Sequence, residues 1–332
     1  MKISYPKYYE KFRCIADLCP DSCCHQWDVQ VDETAAAFYR ALPGPLGDKL
    51  RSVLREEDGE TVMVNTADGR CPMWRLDGLC QIQAELGHDT LCKTCREFPR
   101  LTHDYGNFQE WGLELSCPEA ARLILSGEDA QWASIDQSGI GEAEYEEEIM
   151  QILLDTRPIA ISILQEPSLS VGEALAILLL YGYEVQAVLD GAESMDFSIE
   201  KALQQVRELA RDGSVGDLCS FFLDLEILTH EWEALLKTNH PALPWQPQHR
   251  ALARYFIDRY WLQAVADYDL IGRVKLAIVS CLMIKMMGGD LRAAQLYSKE
   301  IENSIDNIEA ILDGAYTSPA LADIHLLDLL LK

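Results

Sequence analysis

The chain has little positive charge. Of 332 residues, 28 are Lys or Arg and 54 are Asp or Glu, which leaves a net charge of −26. A protein that grips a nucleic-acid backbone needs a basic face, so nucleic acid is not an expected partner. Docking on anionic lipid is disfavoured for the same reason. Long apolar runs are also missing. The strongest, Ala174–Tyr181 and Leu276–Ile284, fall well short of the roughly 20 residues that cross a bilayer, so no membrane association is expected and both read as buried helices. Lysines and tyrosines interrupt the opening MKISYPKYYEKFRC, which offers no apolar stretch of the secretory type, and the cytoplasm is the expected location. No internal repeat and no low-complexity tract occurs.

Cysteine, by contrast, is plentiful and uneven. Nine of eleven fall between Cys14 and Cys117, and only Cys219 and Cys281 follow. Charge divides the chain in the same way. Residues 1–117 carry 13 basic and 19 acidic residues, whereas 118–332 carry 15 and 35. The expected architecture is therefore mainly α. A cysteine-rich metal module with short strands and a hairpin (1–125) precedes an all-helical domain (126–332). In the second part, segments 142–157, 198–212 and 251–269 space apolar residues three and four apart, as amphipathic helices do. Breaks fall at Pro167, Gly191, Gly213, Pro241–Pro247 and Gly288–Gly289.

Several local signals shape the first part. WDVQVD (27–32) alternates as a short strand with Trp27, Val29 and Val31 on one face. Asp32 is placed to cap a following helix that turns Phe38 and Leu42 inward. TVMVN (61–65) reads as a second strand. Asp77-Gly78 closes a hairpin that draws Cys71 towards Cys80. Cys92 and Cys95, three apart in a partly helical stretch, share a face. Cys117 precedes Pro118 at a helix start, where the helix dipole favours a thiolate.

Thiolates are soft ligands suited to zinc, copper(I) or iron–sulfur clusters, and each such site takes about four. Nine cysteines serve two such sites, or one with spectators. The spacings do not select the metal. A zinc ribbon would show two CxxC knuckles and only Cys92–Cys95 is present; the ferredoxin run and the CxxxCxxC triad of radical enzymes are both absent. A phosphate-cradling strand–turn–helix fingerprint is missing too: Ser138–Gly141 has glycines but no expected strand before it.

The phrases FRCIADLCPDSCCHQWDVQVD (12–32), CPMWRLDGLCQIQAELGHDTLCKTCREFPR (71–100) and LELSCPEAARLIL (113–125) resemble the flagellin lysine-N-methylase family, within a wider set of cysteine-rich zinc- or iron-chelating domains. The resemblance is strong over roughly residues 5–125. It implies an enzyme that transfers methyl groups from S-adenosylmethionine to surface lysines of flagellin, with a [4Fe-4S] cluster held by cysteines. Its motif positions fall on Cys14, Cys19, Cys23, Cys24, Cys71, Cys80, Cys95 and Cys117 as metal ligands, with the narrower choice among Cys23, Cys24, Cys71, Cys80, Cys95 and Cys117. Cys92 stands outside that pattern, and the chain is short for the family. The rival reading is a non-catalytic zinc- or iron-chelating protein or a cluster-based sensor.

Methylation of a lysine needs a neutral amine held in line with the sulfonium. Trp27, Trp74, Trp111, Tyr105 and Phe108 lie near the cysteines in sequence and would suit an amine-binding slot. His25 and His103 are candidate ligands or proton carriers. Asp28, Asp32, Asp77 and Glu85 are candidates to orient an amine, and Arg96 and Arg100 to hold a carboxylate. An open iron would be one anchor for the donor's amino and carboxylate groups. No catalytic residue and no donor pocket emerges from the sequence alone.

Overall fold

The two apolar runs fix the centre of the molecule. In the computed structural model, which describes all residues except 26–28, 58, 140, 210–214, 239 and 241–242, Ala174–Tyr181 lies inside the helix Val171–Leu189. Ser170 starts that helix: its Oγ accepts from the Glu173 N–H at 3.2 Å, and the Glu173 carboxylate accepts from the Ser170 N–H at 2.9 Å. Leu276–Ile284 lies inside Leu270–Met286, whose residues are all buried. A helix apolar on every side needs neighbours on every side. They are Val171–Leu189, Gln248–Tyr260, Ile305–Thr317 and Asp323–Leu331, with Glu147–Gln165 packed behind Val171–Leu189. Val171–Leu189 is long and apolar enough to span a bilayer by length and composition, and 61% of its apolar window is buried in this bundle. Helix makes up 58% of the structure and strand 11%, so the chain is mainly α. The segments expected to be helical appear as Glu147–Gln165, Ile199–Leu209 and Gln248–Tyr260, the last running into a 3₁₀ turn Trp261–Val265. The breaks at Gly213 and Pro241 lie outside the described residues.

Among the described residues, seven strands form two small sheets. β1 (Lys2–Pro6), β5 (Arg100–Asp104), β6 (Phe108–Leu113) and β7 (Trp132–Asp136) make one of order β5-β6-β1-β7. β1 runs parallel to β6, with Ile3 opposite Gln109, and antiparallel to β7. The other, β2-β4-β3, is antiparallel and pairs Val29–Gln30 (β2) and Leu54–Glu57 (β3) with Glu60–Met63 (β4). Buried apolar residues fall into two clusters. The smaller spans 29–92 and contains Tyr39, Leu50, Met73, Cys71 and Cys92. The larger unites the helical bundle with Tyr8, Phe12, Leu113, Leu115 and the helix Pro118–Leu125.

Three local expectations need correcting. Phe38 does not face inward: it is 42% exposed, whereas Tyr39 is fully buried and donates to the Thr90 carbonyl at 2.8 Å. The helix Glu33–Ala41 packs through the stripe Ala35, Ala36 and Tyr39, whose small alanines allow close approach, and Phe38 falls off that stripe. The hairpin at 71–82 is reduced to one bridge, Trp74 with Cys80, closed by the Arg75 N–H to the Leu79 carbonyl at 2.9 Å. Gly78, at φ +80°, makes the turn. Finally, a strand does precede Ser138–Gly141: it is β7. It is antiparallel to its neighbour, and the next helix begins only at Glu147, so the segment is still no phosphate cradle. Ile140 of that segment lies outside the described residues.

Candidate metal centre

Short, tightly turned pieces of chain deliver the cysteines. Cys19 closes a 3₁₀ turn (Ala16–Leu18), Cys80 begins the helix Gln81–Leu86, Cys92 begins Lys93–Glu97 and Cys117 begins Pro118–Leu125. Two backbone clamps bring distant turns together. The Cys71 N–H donates to the Cys24 carbonyl at 2.7 Å. Asp32 caps Glu33–Ala41 through the Ala35 N–H at 3.1 Å and binds the Lys93 N–H at 2.7 Å, fastening the Cys92–Cys95 turn beside β2.

The thiols then meet in two groups. The Cys24 thiol neighbours both Cys23 and Cys71. Cys92 and Cys95 neighbour each other. Cys80 is an electrostatic neighbour of Cys71 and Cys23, and Cys95 of Cys23 and Cys71. Cys117 instead neighbours Cys19 and Cys14, and Cys19 in turn neighbours Cys23. All eleven cysteines are free thiols; Cys219 and Cys281 are buried elsewhere in the helical bundle. Among the described residues, no three His, Cys, Asp or Glu side chains converge on a common centre as they would around a bound ion. The Cys71 thiol donates to Met63 Sδ at 3.7 Å. In donor type the set suits a soft metal: unoxidised thiols, with Cys24, Cys71, Cys80 and Cys92 on the smaller core and Cys117 on the larger.

Electrostatics differ among these thiols. Interaction with Cys24 lowers Cys23, and the same interaction raises Cys24. Cys92 is lowered by its interaction with Cys95, and Cys95 is raised by it. Cys117 departs from expectation. Burial pushes it up to about 12 against the nearby Glu119 and Ala120 N–H groups, so desolvation outweighs the helix start.

The other candidates scatter. Trp74 lies 6.0 Å from His25 and under the Arg70 guanidinium at 4.8 Å. Trp111 packs with Tyr5 and Tyr9, and Tyr105 stacks on Phe108 at 4.8 Å. These are three separate clusters and no common slot; Trp27 and Asp28 lie outside the described residues. Asp77 serves its turn and Glu85 binds Gln81. Arg96 neighbours Asp32, and Arg100 lies over Phe12 at 5.1 Å. His103 is half-buried on β5, lowered to about 4 by desolvation and by Arg259 and Arg157.

Two features escaped the sequence reading. Asp21, inside the cysteine loop, accepts from Lys299 at 2.7 Å, Arg292 at 3.0 Å and Gln295 at 2.6 Å, tying the thiols to the far end of the chain. Glu110 takes a two-pronged bond from Arg157 at 2.6 and 2.7 Å, and Arg259 lies 3.1 Å from Glu302. The partners are tens to hundreds of residues apart, and no local pattern announces them.

No protein-family model and no solved structure matches the chain. Among characterised sequences it is 31% identical over 138 residues to the flagellar biosynthetic protein FliU of Salmonella muenchen, covering 39% of this chain and 79% of that protein. The same identity over 138 residues relates it to the lysine-N-methylases of Salmonella typhimurium and Salmonella choleraesuis. The chain matches about a third (33%) of the length of each lysine-N-methylase, and 39% of its own. On the strength of its match across most of FliU, this chain belongs to the flagellin lysine-N-methylase family.

Proposed function

We propose that the chain is a cytoplasmic protein-lysine N-methyltransferase that moves a methyl group from S-adenosylmethionine to surface lysines of flagellin, with a [4Fe-4S] cluster held by its cysteines. The observation that carries this reading is the 31% identity to lysine-N-methylase and FliU, in a chain that gathers nine thiols from well-separated turns. Ligands for the cluster are drawn from Cys23, Cys24, Cys71, Cys80, Cys95 and Cys117, with Cys92 added by its contact with Cys95. A bound cluster would supply iron as a Lewis acid and a rigid cross-link between turns. The chain's own task is simpler: to desolvate the lysine so that it reacts as a neutral amine, and to hold it in line with the methyl donor. The excess of carboxylates supports a lysine-bearing partner.

The test is anaerobic purification, with iron, sulfide and zinc counted per chain, followed by incubation of the protein with methyl-labelled S-adenosylmethionine and flagellin. About four irons and four sulfides per chain, and labelled lysines by mass spectrometry, are expected. Stoichiometric zinc without sulfide, and unlabelled flagellin, would replace this reading with a chelating binding module.

A further inference from the structure

An arginine withdrawn from solvent normally meets a carboxylate. Arg250 does not. Among the described residues, Arg13, Arg55, Arg96 and Arg100 also lack an ion pair, but all four are exposed. Arg250 is half-buried, and its two terminal nitrogens donate to the carbonyls of Leu164 and Leu169, which are neutral. Glu166 feels its charge from beyond ion-pair distance, and one oxygen of that carboxylate is taken by Ser168, from the N–H at 3.1 Å and Oγ at 2.6 Å. Arg250 therefore holds a positive charge that no described carboxylate pairs with.

That charge lines an open cleft of about 400 Å³, the size of a small-molecule site. One wall is the start of the helix Gln248–Tyr260. Pro247 gives it no side-chain cap and its first turn carries no acid, so the positive end of the helix dipole is uncompensated. The helix Pro118–Leu125 ends at the same cleft, but its Arg122 and Ile124 carbonyls are taken by the N–H groups of Ser126 and Gly127, each at 3.1 Å. Tyr8 adds an independent signal. It lines the cleft, is only 6% exposed, and its hydroxyl has no hydrogen-bond partner among the described residues. A withdrawn hydroxyl with no partner is costly and calls for an explanation, which a ligand's acceptor supplies. Arg254, one turn from Arg250, is balanced by Asp258 at 3.2 Å. The lining thus carries two arginines against one aspartate, an excess of one positive charge. Ile124, Leu125, Ala130 and Ala251 make its apolar part, and Gln165 and Gln248 bring amides. Such a surface suits a flat ring with a polar edge, carrying a negative group.

We infer that this cleft binds a nucleoside-like ligand with an anionic group, phosphate or carboxylate, that group lying at Arg250 and Tyr8 and the ring against Ile124, Leu125 and Ala251. S-adenosylmethionine, whose sulfonium and ammonium are both positive, is a poor match for this lining. The site is therefore separate from methyl transfer, and the inference does not rest on that reading.

Two variants test the site without disturbing a contact of the fold. Gln165 is exposed, lines the cleft beside the Leu164 carbonyl that Arg250 grips, and has no hydrogen-bond partner among the described residues. Gln165→Glu brings to Arg250 the carboxylate it lacks. Tyr8→Phe removes only the unpartnered hydroxyl. Three probes share one ring and differ in charge: adenosine, adenosine-5′-carboxylic acid and adenosine 5′-monophosphate. Their binding to the full-length protein is measured by calorimetry at low salt, with circular dichroism and melting temperature to establish folding. At least one anionic probe should bind the wild type about tenfold or more tighter than adenosine, and the tighter of the two identifies the group as carboxylate or phosphate. That affinity should fall about tenfold in Gln165→Glu and severalfold in Tyr8→Phe, while adenosine binding stays level. Should one variant fail to fold, the other decides. No binding of either anion, equal binding of anions and adenosine, or wild-type anion affinity in the folded variants would overturn the inference. None of these outcomes bears on the methyltransferase reading, which the labelling of flagellin tests by itself.

Discussion

At the N-cap of Glu33–Ala41, the two oxygens of Asp32 do different work: one caps its own helix and the other holds the Lys93 N–H. Those backbone donors hold its carboxyl below the ordinary value, the Lys93 contact foremost. Asp32→Ala removes both contacts and should cost about 1–2 kcal/mol, read as a lower denaturation midpoint. Asp32→Asn keeps an acceptor for the cap and should cost less. If Asp32 also positions the Cys92–Cys95 turn, iron retained after reconstitution falls further in the Ala variant than in the Asn variant; equal iron in both would confine Asp32 to the helix. His103 offers a second handle. Desolvation, then Arg259 and Arg157, depress it to about 4 from an ordinary 6.5. Between those values the unfolded chain binds the proton and the folded chain does not, so stability falls as pH drops through that window. The loss amounts to at most about 3 kcal/mol. Denaturant titrations at pH 7 and pH 4 should show a smaller pH difference in His103→Gln than in the wild type. An unchanged difference would place the titration elsewhere.

Close helix packing sets the next scale. At Gly182, the helix Val171–Leu189 approaches Leu270–Met286 so nearly that a Cβ would lie 3.1 Å from Val274 Cγ2 and 3.4 Å from Ile271 Cδ1. Gly182→Val forces branched carbons into a packed seam and should cost about 1–3 kcal/mol. Gly182→Ala meets the same squeeze with one carbon but gains about 1 kcal/mol of helix propensity, so its melting temperature should stay near that of the wild type. Equal destabilisation of both would show that the seam tolerates no side chain at all. Elements of this kind were legible in the sequence where the signal is local. The two apolar runs marked the central helices, Asp32 announced its cap, and Asp77-Gly78 its turn. Phe38 was misplaced because helical phase depends on where the helix meets its neighbour, and Ala35 and Ala36 chose Tyr39 instead. At the candidate centre, the cysteine count and spacing were visible. The proximity of Cys24 to Cys71 and the Asp21 anchor were not, because each is fixed by contacts between segments far apart in the chain.

For the molecule as a whole, buried ion pairs decide where the net charge resides. Glu110 with Arg157, Asp258 with Arg254, Glu302 with Arg259 and Asp21 with Lys299 are pairs in which charge cancels inside. Most described carboxylates outside these pairs are exposed, so the acidic excess lies largely at the surface. Such a surface produces a long-range field that attracts a lysine-bearing partner and is screened as salt rises. If flagellin lysines are the substrate, encounter is the step that feels this field, whereas methyl transfer inside a desolvated site is shielded from it. The expected outcome is a KM for flagellin that climbs with ionic strength while kcat holds nearly constant. A short peptide carrying one lysine and no other charge should show a much flatter salt response. A KM indifferent to salt would mean that the acidic surface serves solubility alone and that flagellin is recognised by close, uncharged contacts. A KM that falls with salt would mean that the docking surface of the substrate is itself acidic, and that the field of this protein opposes the encounter.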